Sequence, residues 1–342
     1  MTGGAVSGMS GAAEGNLKIE WIASFLAVVD HGGFAAAATH TFRSQPRISA
    51  HIGDLERSLG AELFDRKGRP VRLTEAGIAF LGHARALLRE VDAARSSVQA
   101  VLGVLRGRVK LGTFPSAGAA FVPDLLTTFR TQHPQVAVSL VEGTPAELVE
   151  ALGSGEADIA LRPLSPPPAE SSIRYQTLWE EPLVALVPEE SPMAAATFLS
   201  LREIAQEPLV TYGGARKEGG ESLDEVSRAL TAASVHASIA YRSNDPQTLV
   251  NLTRARLGIG LTNLLSASVT DTAGLAVVPI LESGNRRQVG VFWDSAHAMQ
   301  PATRALMHLI TQFPVPQAIA QYQRRGFTTT QSRTFEDAEP TG

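Results

Sequence analysis

Residues 34–60 run FAAAATHTFRSQPRISAHIGDLERSLG, and this stretch decides the fold of the N-terminal third. Phe34 to His40 is Ala-rich and predicts a short helix. Thr41-Phe42-Arg43 makes a tight connection. Ser44 then predicts an N-cap, because its hydroxyl can accept from a free amide of the next turn. Pro46 is tolerated in a first turn, where its missing N–H has no helical partner. Ile48, Ile52 and Leu55 follow at i, i+4 and i+7, so the second helix has one buried face. Gly60 ends it. Two helices thus follow one another across a tight turn.

Working outward, Ile19, Ile22, Phe25, Leu26 and Val29 recur at helical spacing ahead of His31-Gly32-Gly33. Behind Gly60, Leu63-Phe64 and Val71-Arg72-Leu73 flank Asp65-Arg66-Lys67-Gly68-Arg69-Pro70, a short hairpin with a basic tip, or wing. Thr74 caps a long helix, with Glu75 in its first turn to favour the helix dipole. Leu81, Ala84, Leu88, Val91, Val98, Leu102 and Leu105 step by three and four with one gap at Arg95, which predicts a coiled-coil seam. The alternative is one amphipathic helix packed on its own chain.

Beyond Gly107 strand and helix patterns alternate. Strands are expected at 109–112, 136–140, 159–161, 183–187, 208–211, 259–261, 276–280 and 289–293, with helices near 119–132 and 146–152. That order implies a parallel α/β sheet. Pro166–Pro168 marks a surface loop, and a last helix is expected at about 301–312. Residues 1–17 and 314–342 are expected to be a disordered lead-in and tail.

The chain of 342 residues carries a formal charge of −4, but this averages two unlike halves. Residues 18–108 hold 13 Lys+Arg against 9 Asp+Glu, a net of +4, and the remainder is −8. A basic front suits a polyanion. Cysteine is absent, which excludes disulfides, thiol catalysis and Cys-ligated zinc and suits a reducing cytoplasm. No apolar run approaches the ~20 residues that span a bilayer, so no membrane partner is expected. The N-terminus lacks the pattern of a secretory signal. No Gly-x-Ser-x-Gly elbow, metal-ligand cluster or Gly-rich phosphate loop is present, so no catalytic residue, metal or cofactor is expected.

Phe25 to Gly77 resembles the LysR-type transcriptional regulators. The resemblance rests on Gly32-Gly33-Phe34, Ala37-Ala38, Ser44-Gln45-Pro46, Ser49, Ile52, Leu55-Glu56, Leu59-Gly60, Leu63-Phe64, Arg66, Arg69, Leu73-Thr74 and Ala76-Gly77, in the family's order and spacing. It extends more loosely through His133-Pro134, Glu142-Gly143, Asp158-Ile159-Ala160, Glu181-Pro182-Leu183-Val184 and Leu257-Gly258-Ile259-Gly260. It implies an α-rich winged helix-turn-helix at 18–73, a long linker and dimerisation helix at 74–106, and an effector-binding domain at 107–313. That domain is similar to periplasmic-binding-protein folds, two α/β subdomains (107–179 with 284–313, and 180–283) around a ligand cleft. Departures include Gly33 for Ser, Thr41 for Leu, Ser191-Pro192 for His-Pro, Thr262-Asn263 for a usual Leu-Pro or similar pair, and Ala50 at a position that is often Arg.

In this geometry Gln45 can pair with adenine N6 and N7. Arg43, Ser44, Pro46, Arg47, Ser49, Ala50 and His51 complete the expected DNA face. Ser49 and His51 are placed away from Ile48 and Ile52, and Arg43 or Arg47 restores the charge missing at Ala50. Arg66, Lys67 and Arg69 of the wing are expected on phosphates, which position a protein without specifying sequence. In open α/β folds ligands collect at strand carboxyl ends. Ser116, Thr144 and Arg162 in the first subdomain, facing Tyr212 and Asn263 of the second, are therefore candidate effector contacts suited to a carboxylate. The bland alternative for Ser116 and Thr144 is helix capping. Expected partners are an interrupted inverted repeat in double-stranded DNA, a small-molecule effector, and further copies of the chain as a homodimer or homotetramer. The resemblance adds RNA polymerase for an activator. Cytoplasmic, nucleoid-associated action follows from these.

Overall fold

The structure, a computed structural model, describes residues 17–66, 71–101, 105–212, 225–243, 245–281 and 286–324. They form an N-terminal unit reaching to about residue 102 and a C-terminal unit beyond it.

The N-terminal unit opens with α1 (Ile19–Asp30), α2 (Phe34–His40) and α3 (Gln45–Leu59). Strands β1 (Phe64–Asp65) and β2 (Arg72–Leu73) pair antiparallel as the wing, and α4 (Glu75–Val101) follows. Ile48, Ile52 and Leu55 are fully buried against Ile22, Phe25 and Leu63. At about 1.5–3 kcal/mol for each fully buried aliphatic side chain, these three hold α3 in place. Phe25 joins them to an aromatic group, its ring 5.3 Å from both Phe64 and Phe80.

Thr74 locks the wing to α4. Its Oγ1 donates to the Glu62 carbonyl at 2.6 Å and accepts from the Gly77 amide at 3.0 Å. A Cβ on Gly77 would stand 2.1 Å from the Leu63 carbonyl oxygen, so only glycine allows this approach.

Two expectations about α4 change. Leu81, Ala84 and Leu88 pack into the core of their own unit, so the first half of the expected seam is internal. Leu105 is not helical at all and packs in the C-terminal unit. Leu102 lies outside the described residues. Among the described residues, α4 leaves Ile78, Ala79, Leu87, Ala94 and Val98 exposed, with Val91 half-buried between Leu87 and Ala94.

The C-terminal unit is built on β3 (Gly107–Thr113), α5 (Pro115–Ala120), α6 (Val122–Gln132), β4 (Val136–Glu142), α7 (Pro145–Ser154), β5 (Ile159–Pro163) and the long β6 (Ile173–Pro188). After a short 3₁₀ turn come α8 (Leu201–Ile204), β7 (Leu209–Tyr212), α9 (Glu225–Ala232), β8 (Ile239–Ser243), α10 (Pro246–Arg254), β9 (Ile259–Asn263) and α11 (Leu264–Ser268). The unit closes with β10 (Leu275–Pro279), β11 (Arg286–Asp294), α12 (Pro301–Gln312) and α13 (Gln317–Arg324).

The strands run in the order β4-β3-β5-β11-β6-β9-β7-β8, with β10 also on β6. β3 pairs parallel with β4 and β5, and β7 parallel with β8 and β9. The expected all-parallel sheet is therefore corrected. Two parallel halves are joined by β6 and β11, which run antiparallel to each other and to their flanking strands. Each half has its own core: Leu111, Phe129, Ile159, Phe292 and Leu306 in one, Leu183, Leu201, Leu209 and Leu261 in the other. The tail also begins later than expected. α13 returns to the sheet and buries Ile319 completely in the first core. Residues 1–16 and 325–342 lie outside the described residues.

Candidate nucleic-acid interface and effector cleft

α3 begins at Gln45 with Ser44 in extended geometry at the N-cap and Pro46 in the first turn. The Ser44 side chain makes no cap bond, so the expected cap is one of position only. The helix buries Ile48, Ile52 and Leu55 and leaves Gln45, Pro46, Arg47 and Ala50 exposed, with Ser49 half-buried. Arg47 reaches towards Glu20 of α1 at 3.9 Å, a solvated and weak pairing.

His51 is a correction. It is buried, and its Nδ1 lies 2.8 Å from Ser24 Oγ on α1. Ser24 Oγ donates to the Glu20 carbonyl at 2.9 Å, so its one proton is committed and His51 Nδ1–H is the donor between them. Arg43 Nη1 also donates to Ser24 Oγ, at 3.4 Å. Burial pushes the His51 pKa down against the pull of the Glu20 carboxylate, and the Arg43 and Arg47 charges add to the lowering. A neutral His51 thus bonds α3 to α1 and does not project to the DNA side.

Glu56 carries a role that its sequence position alone does not reveal. One carboxylate oxygen accepts from the Leu63 amide at 2.9 Å, and the other accepts from Arg66 Nη2 at 2.7 Å. Arg66 also lies over the Phe34 ring at 5.5 Å. Glu56 therefore clips the base of the wing to α3. Lys67 and Arg69, at the tip, lie outside the described residues.

In the C-terminal unit, the loops at the carboxyl ends of the strands form the second candidate site. Ser116 is buried in the first turn of α5. Thr144 is exposed and engaged in capping: its amide donates to Glu147 Oε2 at 2.7 Å and its hydroxyl faces the Glu147 amide at 3.4 Å. Arg162 is 1% exposed, its guanidinium 4.7 Å over the Phe292 ring and donating to the Pro166 carbonyl. Burial lowers its pKa to about 10. Its Nε and Nη1 are buried with no hydrogen-bond partner among the described residues, so only Nη2 is engaged by the Pro166 carbonyl.

What the structure assembles is a charged group that the sequence did not indicate. Arg287, at the start of β11, meets Glu181 of β6: Nε donates to Oε1 at 2.8 Å and Nη2 stands 2.7 Å from it. Glu181 is fully buried, and its Oε2 accepts from the Leu265 amide at 2.9 Å. Glu225, at the start of α9, lies 3.8 Å from Arg287 Nη1. Phe114, from the first-subdomain loop, sits under the guanidinium at 5.0 Å. Burial raises the Glu225 carboxyl, and the Arg287 charge only partly offsets this. Tyr212 is raised too, by burial against the pull of Arg287. Asn263 is buried at the end of β9 within hydrogen-bonding reach of the Glu225 carboxyl, and Thr211 Oγ1 on the neighbouring β7 is buried with no hydrogen-bond partner among the described residues. Tyr212 and Asn263 are thus brought to the Arg287 group. A cavity of about 400 Å³ opens beside it, lined by Leu164, Ser165, Glu225, Arg228, Arg286 and Arg287.

A helix-turn-helix with a wing, followed by two α/β halves on shared crossover strands, defines a DNA-binding regulator with a ligand-binding domain. Residues 19–78 match the bacterial regulatory helix-turn-helix of the lysR family, and residues 102–314 match the LysR substrate binding domain. The chain belongs to the LysR family of transcriptional regulators, which are not enzymes. It is 28% identical over 271 residues to the uncharacterized HTH-type transcriptional regulator YybE of Bacillus subtilis, covering 79% of this chain and 90% of that one. Its fold is similar to a full-length, singly substituted OxyR from Pseudomonas aeruginosa, with a TM-score of 0.73, 22% identity and coverage of 89% and 97%. It is also similar to full-length CbnR solved with its target DNA, with a TM-score of 0.61, 23% identity and coverage of 86% and 99%. The protein is a DNA-binding transcriptional regulator with an effector-binding domain.

Proposed function

We propose that this regulator acts as a homodimer, or a pair of dimers, on an interrupted inverted repeat, and that a small carboxylate controls it. A two-fold dimer reads two half-sites in related orientation. The outward stripe Leu87, Val91, Ala94 and Val98 on α4 steps by four, three and four and supports such pairing. Gln45 and Arg47 on the exposed end of α3 read bases. Arg66, Lys67 and Arg69 hold phosphates. The protein works where DNA is, in the cytoplasm, and contacts RNA polymerase if it activates.

The observation that carries the effector class is Arg287. It is a buried guanidinium whose second acid, Glu225, lies at 3.8 Å and is within hydrogen-bonding reach of the Asn263 side chain, with the buried Thr211 Oγ1 near by. An incoming carboxylate takes the place of Glu225 and satisfies those donors, because charge-assisted bonds in a dry site are the strong ones. Closure follows only if the ligand binds the closed state better. The test is a thermal-shift screen of small carboxylates on the full chain. A hit is expected to lose its effect in Asn263→Ala or Ser116→Ala while DNA binding without ligand persists. Full stabilisation of both variants by the same hit places the pocket elsewhere.

A further inference from the structure

Phe42 occupies a position that the fold reserves for another kind of residue. α2 ends in a Schellman motif: the Arg43 amide donates to the Ala38 carbonyl at 3.0 Å and the Phe42 amide to the Thr39 carbonyl at 3.3 Å. The residue at that bend must be left-handed, and Phe42 has φ of 52°. Glycine or asparagine normally takes this place, because a Cβ crowds the following carbonyl there. Gly60 does so at the end of α3, with φ of 71°, whereas Ser234 and Arg256 take the same place after α9 and α10 with φ of 53° and 60°, so it is the bulk and exposure of the ring that set Phe42 apart. A phenylalanine strains the turn. Its ring is also 97% exposed, the most exposed large apolar side chain among the described residues, and it joins no part of the core of its unit.

The fold makes no use of the ring, and a bulky side chain held exposed on a left-handed backbone points to a use outside the chain. Its location says what. Phe42 precedes Arg43-Ser44-Gln45, the entry to α3, and at 3.8 Å per residue its Cα is within about 11 Å of that of Gln45. A side chain there falls inside the footprint of a helix whose first turn enters the major groove.

We propose that Phe42 is a DNA contact, its ring packing on an apolar element of the operator, a thymine methyl or a deoxyribose, beside the base pair that Gln45 meets. Thymine methyls are the apolar feature of the major groove, and aromatic rings are among the groups that read them. The inference rests on the reading that the start of α3 meets the bases. It also explains why an apolar residue stands amid Arg43 and Arg47: the arginines supply attraction to any sequence, and the ring supplies a contact that depends on shape and methylation pattern.

The experiment uses the full chain with Phe42→Gly and Phe42→Asn, both of which accept a left-handed backbone, and a site selected from random DNA. Melting of the N-terminal unit is expected to be unchanged or higher. Kd for the selected site is expected to rise about tenfold, with the same dependence on salt as the parent, since no phosphate contact is lost. Replacing each thymine in turn by deoxyuracil separates the two elements. A step that weakens the parent but not Phe42→Gly identifies a methyl; if no step does so, the ring lies on sugar. Phe42→Gly and Phe42→Asn binding as tightly as the parent, while Gln45→Ala binds more weakly, would overturn the inference and turn the ring towards a protein partner. Unaltered binding and site preference in Gln45→Ala as well would overturn the placement of α3, and the inference with it.

Discussion

Removing the Arg287 side chain should unfold the C-terminal unit well below the temperature of the parent. Arg287→Met keeps most of the volume and deletes the charge. Glu181, fully buried, then retains only the Leu265 amide at 2.9 Å, and Glu225 lies in the same group with the same sign. Breaking a buried pair by removing one partner costs about 3–5 kcal/mol, because the survivor is left uncompensated. A unit of this size shifts by about 2–4 °C per kcal/mol, so the expected fall is about 6–20 °C. The assay is tryptophan fluorescence on heating. Trp179 and Trp293 report the C-terminal unit, and Trp21→Phe silences the third of the three tryptophans. Arg287→Met/Glu181→Met/Glu225→Gln removes all three charges together and should recover most of the loss, since apolar replacements of whole buried ion pairs are often neutral. A fall below about 3 °C in the single variant, or a triple variant as unstable as the single, refutes the view that these charges hold one another in place.

Three further outcomes are expected. Burial raises the Glu225 carboxyl, so the folded state holds that proton more tightly than the unfolded chain, and the group's contribution falls as pH rises from its ordinary value near 4.5 through the raised one; Glu225→Gln should melt higher than the parent at pH 7, with the gap closing towards pH 4. The His51 pKa is lowered, so its contribution is complete above the ordinary value near 6.5 and is lost as pH falls below it; Trp21 fluorescence should show the N-terminal unit weakening between pH 6.5 and 5, and His51→Gln should flatten that slope. Leu87→Glu/Val98→Glu sets charges on the outward stripe of α4 and, if the proposed dimer forms through it, should give a monomer in light scattering without lowering the melting of the N-terminal unit.

The helix-turn-helix was legible because its information is local. Ile48, Ile52 and Leu55 declare a face by spacing alone, and all three are fully buried. His51 illustrates how polarity misleads within such a pattern. It follows Ile48 by three residues and precedes Leu55 by four, which puts it on the apolar face by geometry. The expectation that it lies away from Ile48 and Ile52 was therefore mistaken, and Ser24 on α1 gives it a buried partner. The error on α4 has the same origin. Steps of three and four specify an apolar stripe but not its partner, and Leu81, Ala84 and Leu88 find theirs within the unit.

The charged group around Arg287 was illegible for the opposite reason. Glu181 and Arg287 are 106 residues apart, and each sits in a strand whose neighbours are read one at a time. No periodicity reveals that β6 and β11 are the two crossovers, and strand patterns carry no direction, so an all-parallel sheet was the natural expectation. Once β6 and β11 run antiparallel between the halves, Arg287 is brought to the carboxyl ends of both parallel sets, where α/β folds gather their ligands. The topology thus brings two residues far apart in sequence together as a buried charged pair at the ends of both parallel sets. Tyr212 and Asn263, chosen only for following strands, arrive beside it for that reason, whereas Arg162, chosen on the same rule, stacks on the Phe292 ring of β11 and keeps Nε and Nη1 unpartnered among the described residues. Following a strand brings a residue to the cleft, but whether its side chain enters depends on the strand beside it.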